Sequence, residues 1–140
     1  MPKYKLFDHT ADIGVAVTGR TRKELFVNAA QAVFAIMIAN RIDRQGAQRQ
    51  KTIIVEGSDI ADLLINFLRE ILYLFNGEAL IVEDCHIQEC SNQRLVAKLL
   101  VEPYSKEKYS TKMELKAVTY HGLSVERIKN GWRARVIFDV

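Results

Sequence analysis

Apolar residues recur at helical spacing in two stretches of the chain. From Thr21 the sequence runs Thr-Arg-Lys-Glu-Leu-Phe, a capping-box pattern with Thr21 as N-cap and Glu24 three positions on. Leu25, Phe26, Ala29, Ala30, Val33, Phe34 and Met37 then form one broad stripe, which predicts a helix over about 21–38. In the second stretch Ile60, Leu63, Leu64, Phe67, Leu68, Ile71, Leu72 and Phe75 occupy one face. Ser58 or Asp59 is placed to cap it, Asp62 puts negative charge in the first turn, and Gly77 is the expected stop. So apolar a stripe must be buried against a sheet or the first helix, which makes it a core helix.

Elsewhere the period is two. Asn130-Gly131 is a strong hairpin signal. Leu123, Val125 and Arg127 alternate with Ser124, Glu126 and Ile128 before it. Trp132, Ala134, Val136 and Phe138 alternate with Arg133, Arg135, Ile137 and Asp139 after it, and Trp132 is expected in the core. Lys3–Asp8, Ile13–Thr18 and Lys51–Glu56 read as short strands, and Ala79–Cys90 with Arg94–Glu102 as a second hairpin across Ser91-Asn92-Gln93. The polar stretch 40–50 and the segment 103–112, with Pro103, Tyr104, Tyr109 and several lysines, read as connections. No repeat or composition shift divides the chain. The pattern predicts one α+β domain over residues 1–140, with two amphipathic helices packed on one face of a mainly antiparallel β-sheet.

Composition narrows the class. The 140 residues are 49% apolar and 26% charged, enough to build a core without staples and unlike a disordered chain. No apolar run approaches the ~18–20 residues of a membrane span, and the first residues carry no signal-peptide apolar segment, so a cytoplasmic protein is expected. Cys85 and Cys90 would face opposite sides of a strand, which favours small buried or half-buried thiols over a bridge. Zinc needs about four ligands, and His86 does not complete a set with them. Lys and Arg number 20 against 17 Asp and Glu, a net charge of +3, too mild to announce a nucleic-acid binder.

Familiar catalytic signatures are missing: there is no Gly-rich phosphate loop, no Gly-x-Ser-x-Gly elbow and no His-Glu-x-x-His. Three polar clusters in otherwise apolar strands remain. Asp8-His9-Thr10-Ala11-Asp12 precedes Ile13-Gly14 and reads either as a polar turn or as a site. Asp139 and Val140 close the sequence, either as a solvated tail or as a side-chain carboxylate, a carbonyl and an α-carboxylate, hard oxygen donors suited to Ca²⁺ or Mg²⁺. Lys116 in Lys-Ala-Val-Thr-Tyr-His either faces solvent or offers an ammonium to phosphate or to an acidic group of a partner. On one strand Lys116, Val118 and Tyr120 share a face, while Ala117, Thr119 and His121 share the other. His9, His86 and His121 lack metal-motif spacing.

Together these runs resemble the archease family over essentially the whole chain. The resemblance rests on His9-Thr10-Ala11-Asp12-Ile13-Gly14, Glu24-Leu25-Phe26, Ala29-Ala30-Gln31-Ala32, Lys116 to His121, Gly131-Trp132 and Val136-Ile137-Phe138-Asp139-Val140. It implies a small cytosolic cofactor protein without turnover of its own. Its partner would be an RtcB-type RNA-splicing ligase, whose GTP- and Mn²⁺-dependent guanylylation and repeated turnover it would promote in tRNA splicing. A chaperone-like role toward a tRNA methyltransferase is also implied. tRNA would be met indirectly, through these partners, and no membrane is involved. Carried over by position, the metal site falls on Asp12, Asp139 and Val140, with Ca²⁺ the usual ion and Mg²⁺ or Mn²⁺ as alternatives, and Lys116 matches a functionally important lysine. Two other classes compete. One is a small metal-dependent phosphoesterase with His9 as general base, and the other is an RNA-binding chaperone using the basic residues of 103–116 and 127–135.

Overall fold

The computed structural model describes residues 3–9, 12–41 and 48–140. In chain order the elements are β1 (Tyr4–His9), β2 (Asp12–Gly19), α1 (Arg22–Met37), β3 (Ile38–Arg41), β4 (Arg49–Glu56), α2 (Ile60–Glu78), β5 (Leu80–Cys90), β6 (Arg94–Pro103), β7 (Tyr109–Thr111), β8 (Ala117–Ile128) and β9 (Gly131–Asp139).

Both helices begin where their caps require. Thr21 is extended and its hydroxyl accepts the Glu24 N–H at 3.1 Å. Asp59 accepts the Asp62 N–H at 2.8 Å, and the Asp62 carboxylate in turn accepts the Ser58 N–H at 2.8 Å. The Ser58 bond, followed by one from the Tyr120 hydroxyl, holds the Asp62 carboxyl below its ordinary value of 3.8. The far end of α2 departs from expectation. Gly77 lies inside the last turn, and Ala79 takes the left-handed conformation (φ 53°), its N–H reaching the Leu74 and Phe75 carbonyls. A glycine there would cost less, but the turn is tied down because the Ala79 carbonyl accepts the Tyr104 N–H at 2.7 Å.

The expected single sheet is three. β1-β2-β9-β8 and β4-β6-β5 are antiparallel sheets, and β3 pairs with β7. Alternation along a strand tells which residues face inward; it does not tell which sheet they join. α1 packs against β2 and β9 and also against β5, while α2 packs against β8, β5 and β4. That double contact explains why α1 is buried nearly all round, at Leu25, Phe26, Asn28, Ala29, Ala32, Val33 and Ile36. Val15, Val136 and Phe138 from one sheet, and Leu95, Leu99 and Val101 from the other, meet the helices in one contiguous core. Phe26 and Phe67 join the helices edge-to-face at 5.5 Å.

Two expected connections carry strands. The stretch 40–50 contributes the end of β3 and the start of β4, with 42–47 outside the described residues, and 103–112 contributes β7. The expected hairpin forms with its turn one position early. Lys129 and Asn130 make the turn, Ile128 pairs with Gly131, and Gly131 already lies in β9 at φ 149°. A Cβ on Gly131 would collide with the Gly19 carbonyl, so this glycine permits close approach of β9 to the end of β2. Trp132 is buried as expected, with the Arg22 and Arg127 guanidinium groups 5.0 and 5.3 Å from its ring. Cys85 is buried and Cys90 half-buried, both as free thiols. Among the described residues no helix is long and apolar enough to cross a membrane.

Candidate functional site

The four-stranded sheet brings together residues that are far apart in sequence. β1 pairs with β2 so that His9 lies opposite Asp12. β2 pairs with β9 so that Asp12 lies opposite Asp139, and β8 puts Ala117 on the other side of Asp139. Directly opposite residues in antiparallel strands share a face, with Cβ atoms about 4.5–5.5 Å apart. The neighbouring positions Ile13, Phe138 and Val118 point toward the helices, so the row Asp12–Asp139–Ala117 lies on the face turned away from them.

Asp12 and Asp139 therefore form a cross-strand pair of like charges, an arrangement that is unfavourable unless something positive sits between or beside them. Asp12 is partly exposed, while Asp139 and Val140 are exposed. Ala117 adds only a methyl group on the β8 side of Asp139. The Asp139 carbonyl accepts the Lys116 N–H at 2.9 Å, which fixes the strand end and occupies one of that oxygen's lone pairs. Two carboxylates on one face are hard oxygen donors of the kind a Ca²⁺ or Mg²⁺ ion takes, and they supply fewer than the 6–8 oxygens that Ca²⁺ accepts. Among the described residues no group of three His, Cys, Asp or Glu side chains converges on one point. A cation here would complete its shell with water or with acceptors from another molecule.

Other predicted site residues fall differently. The Lys116 side chain leaves the carboxylate row and lines a groove beside α2, as its alternation with Ala117 requires. His86 and His121 are both exposed, and among the described residues neither belongs to a group of three possible ligands. Thr10 and Ala11, and the His9 side chain, lie outside the described residues. The sequence pattern gives Thr119 no role beyond its place on the strand. It shares the face of Ala117, and its Oγ1 is buried with no hydrogen-bond partner among the described residues. A threonine two positions along an apolar strand from Ala117 was the available signal.

Comparison with known proteins places the whole chain in one family. Residues 4–140 match the model of the Archease protein family (MTH1598/TM1083). The chain is 32% identical to protein archease of Methanosarcina barkeri over 142 residues, covering 99% of this chain and 96% of that one. It is 35% identical over 144 residues to protein archease of Thermococcus gammatolerans, covering both chains fully. The solution structure of Methanobacterium thermoautotrophicum protein 1598 superposes with a TM-score of 0.77 at 29% identity over the whole of both chains. A Thermotoga maritima protein described as an archease and possible chaperone shares the fold, with a TM-score of 0.65 at 22% identity, covering 97% of this chain and 96% of its own. This chain belongs to the archease family.

Proposed function

We propose that the chain is a protein cofactor for an RtcB-type RNA-splicing ligase, promoting its GTP-dependent guanylylation and repeated turnover in tRNA splicing. The observation that carries this reading is the Asp12–Asp139 cross-strand pair, two carboxylates held on one face at the surface. Asp12, Asp139 and the terminal Val140 are the residues that would hold a divalent ion, with Ca²⁺ the first expectation. The ion would supply positive charge at a surface where another protein's acceptors complete its shell. The residues of this chain orient and present. The β2–β9 register sets the carboxylate spacing, and the Lys116 amide pins the Asp139 backbone. The Lys116 ammonium extends positive charge to the adjoining groove, where it can meet an anionic group of the partner.

Single-turnover guanylylation of a cognate ligase, with GTP and Mn²⁺ and with or without this protein, tests the reading. Acceleration is expected from the wild type and is lost in Asp12→Ala and Asp139→Ala, with Lys116→Ala impaired. Calcium titration of the free protein should show at least tenfold weaker binding in both aspartate variants. Unchanged affinity in both would remove the metal assignment. A wild type that binds the ligase without accelerating it would move the role toward the methyltransferase chaperone. Phosphoester cleavage by the purified chain in Mg²⁺ or Mn²⁺ would replace the cofactor reading with an enzyme.

A further inference from the structure

Beside the carboxylate row, α2 and β8 enclose a groove of about 340 Å³. Arg69, Tyr73 and Asn76 line it from the helix, and Lys116, Ala117 and Val118 from the strand. The helical residues stand at i, i+4 and i+7, one stripe along α2. The walls carry two cations and no carboxylate.

The groove is held in shape by several contacts. The Arg69 guanidinium lies 5.0 Å over the Tyr120 ring, and the Tyr120 hydroxyl donates to Asp62 at 2.8 Å. The Asn76 amide donates to the Leu115 carbonyl at 3.0 Å, setting the path of the chain into Lys116. Gly77 has its reason here as well. A Cβ at that position would stand 2.7 Å from Cε1 of Tyr73, so the absent side chain is what lets the tyrosine ring lie across the helix. Tyr73 and Tyr120 nevertheless stay 57% and 54% exposed, large rings that the fold leaves uncovered. β8 is the terminal strand of its sheet, so one side of its backbone has no strand partner among the described residues.

A strand edge, two cations and an exposed aromatic ring fit an extended peptide bearing carboxylates. A phosphate group fits less well. Among the described residues no helix N-terminus or glycine-rich loop offers amides to the groove, as phosphate sites require. We infer that the groove takes an extended acidic segment of the partner protein, laid beside β8 as an added strand. Its carboxylates meet Arg69 and Lys116, and its apolar side chains rest on Tyr73 and Leu72. The inference rests on the reading of the chain as a partner-binding protein, and it names the surface and the chemistry of the segment bound.

The first test is a ¹H–¹⁵N NMR titration of the full chain with a short peptide alternating glutamate and valine. Shifts should be confined to Lys116–Thr119 and to the α2 stripe through Arg69, Tyr73 and Asn76. Affinity should fall as salt rises, and by about tenfold in Arg69→Glu. Gly77→Ala, which pushes the Tyr73 ring aside without touching the core, should weaken binding severalfold. Absence of shifts at millimolar peptide, equal binding of the lysine–valine counterpart, or displacement by inorganic phosphate would overturn the inference. Binding of the cognate ligase to Arg69→Glu separates the two readings. If the wild type binds and accelerates the ligase and Arg69→Glu binds it equally, the groove is not the docking surface and the cofactor role stands. If the peptide seats in the groove while the ligase ignores the wild type, the cofactor role fails and the groove stands.

Discussion

Two pairs of acidic side chains are brought together in this molecule and handled in opposite ways. Glu83 on β5 and Glu102 on β6 each lie 2.7 Å from the Tyr109 hydroxyl, and the Lys108 ammonium is 3.7 Å from Glu102. Glu102 is wholly buried. Burial first, then the bonds to Glu83 and Glu102, pushes the Tyr109 phenol far above its ordinary range. Asp12 and Asp139 are held just as firmly by strand register, but at the surface. The contrast lies in what completes each pair. Glu102, wholly buried, is met by the chain's own Tyr109 hydroxyl and Lys108 ammonium, and the tyrosine ties β7 to the sheet behind it, with the half-buried Glu83 on its other side. Asp12 and Asp139 lie instead at the surface, where water and other molecules reach them.

Substitutions should therefore move the two pairs in opposite directions. The largest effect is expected at the interior. Tyr109→Phe removes the hydroxyl from two carboxyl groups and should cost about 3 kcal/mol in denaturant unfolding; a variant as stable as wild type would mean the cluster holds without the phenol. Next is the alkaline limb. Burial, reinforced by Asp84, pushes the Cys85 thiol from 9.0 to about 12 in the folded chain. A raised folded-state value means stability fully present below pH 9 and lost progressively as pH rises toward 12. Cys85→Ala should flatten that decline in chemical melts taken across the range; an unchanged slope would show that the thiol is not its source. At the surface the sign reverses. Without divalent metal, Asp139→Asn should raise stability by about 0.5 kcal/mol by relieving like-charge repulsion. Excess Ca²⁺ should cancel that advantage, since only the wild type gains from binding. A loss of stability in metal-free buffer would show that the pair is already compensated within the fold. Smallest is the acid limb. Asp62 has a depressed folded-state value, so its contribution is present above about pH 4 and is lost below it. Asp62→Asn should lower stability slightly at neutral pH and so flatten the decline across that acid window in chemical melts; an unchanged slope would show that Asp62 is not its source.

How much of this was legible in the sequence depended on the range of the interaction. Helices were the clearest, because period and caps are both local: Thr21 with Glu24 and Asp59 with Asp62 act within four residues. Alternation found the strands of both larger sheets. It missed β3 and β7, which are four and three residues long and rich in polar side chains, because their pairing comes from Tyr109 and the Met37 carbonyl, far away in sequence. Gly77 was taken as a stop because glycine usually follows a helix; here it makes room for an aromatic ring, a tertiary reason that no local pattern carries. Asp12 and Asp139 were visible as residue types, but their meeting depends on register between β2 and β9. The groove escaped because Arg69, Tyr73 and Asn76 look like the wet face of any amphipathic helix until β8 is laid beside them. Their shared spacing was the one signal present.

That register has a temporal consequence. Asp12 and Asp139 stand 127 positions apart, and a strand pair that closes so long a loop belongs among the slower contacts of a fold, after the helices and local hairpins have formed. A half-synthesised chain, or one clipped in the middle, can carry a helix, a hairpin and a hydrophobic face without ever presenting two facing carboxylates. The facing carboxylates thus come into being with a late, long-range pairing, so that their presence on one face certifies that the chain has finished folding.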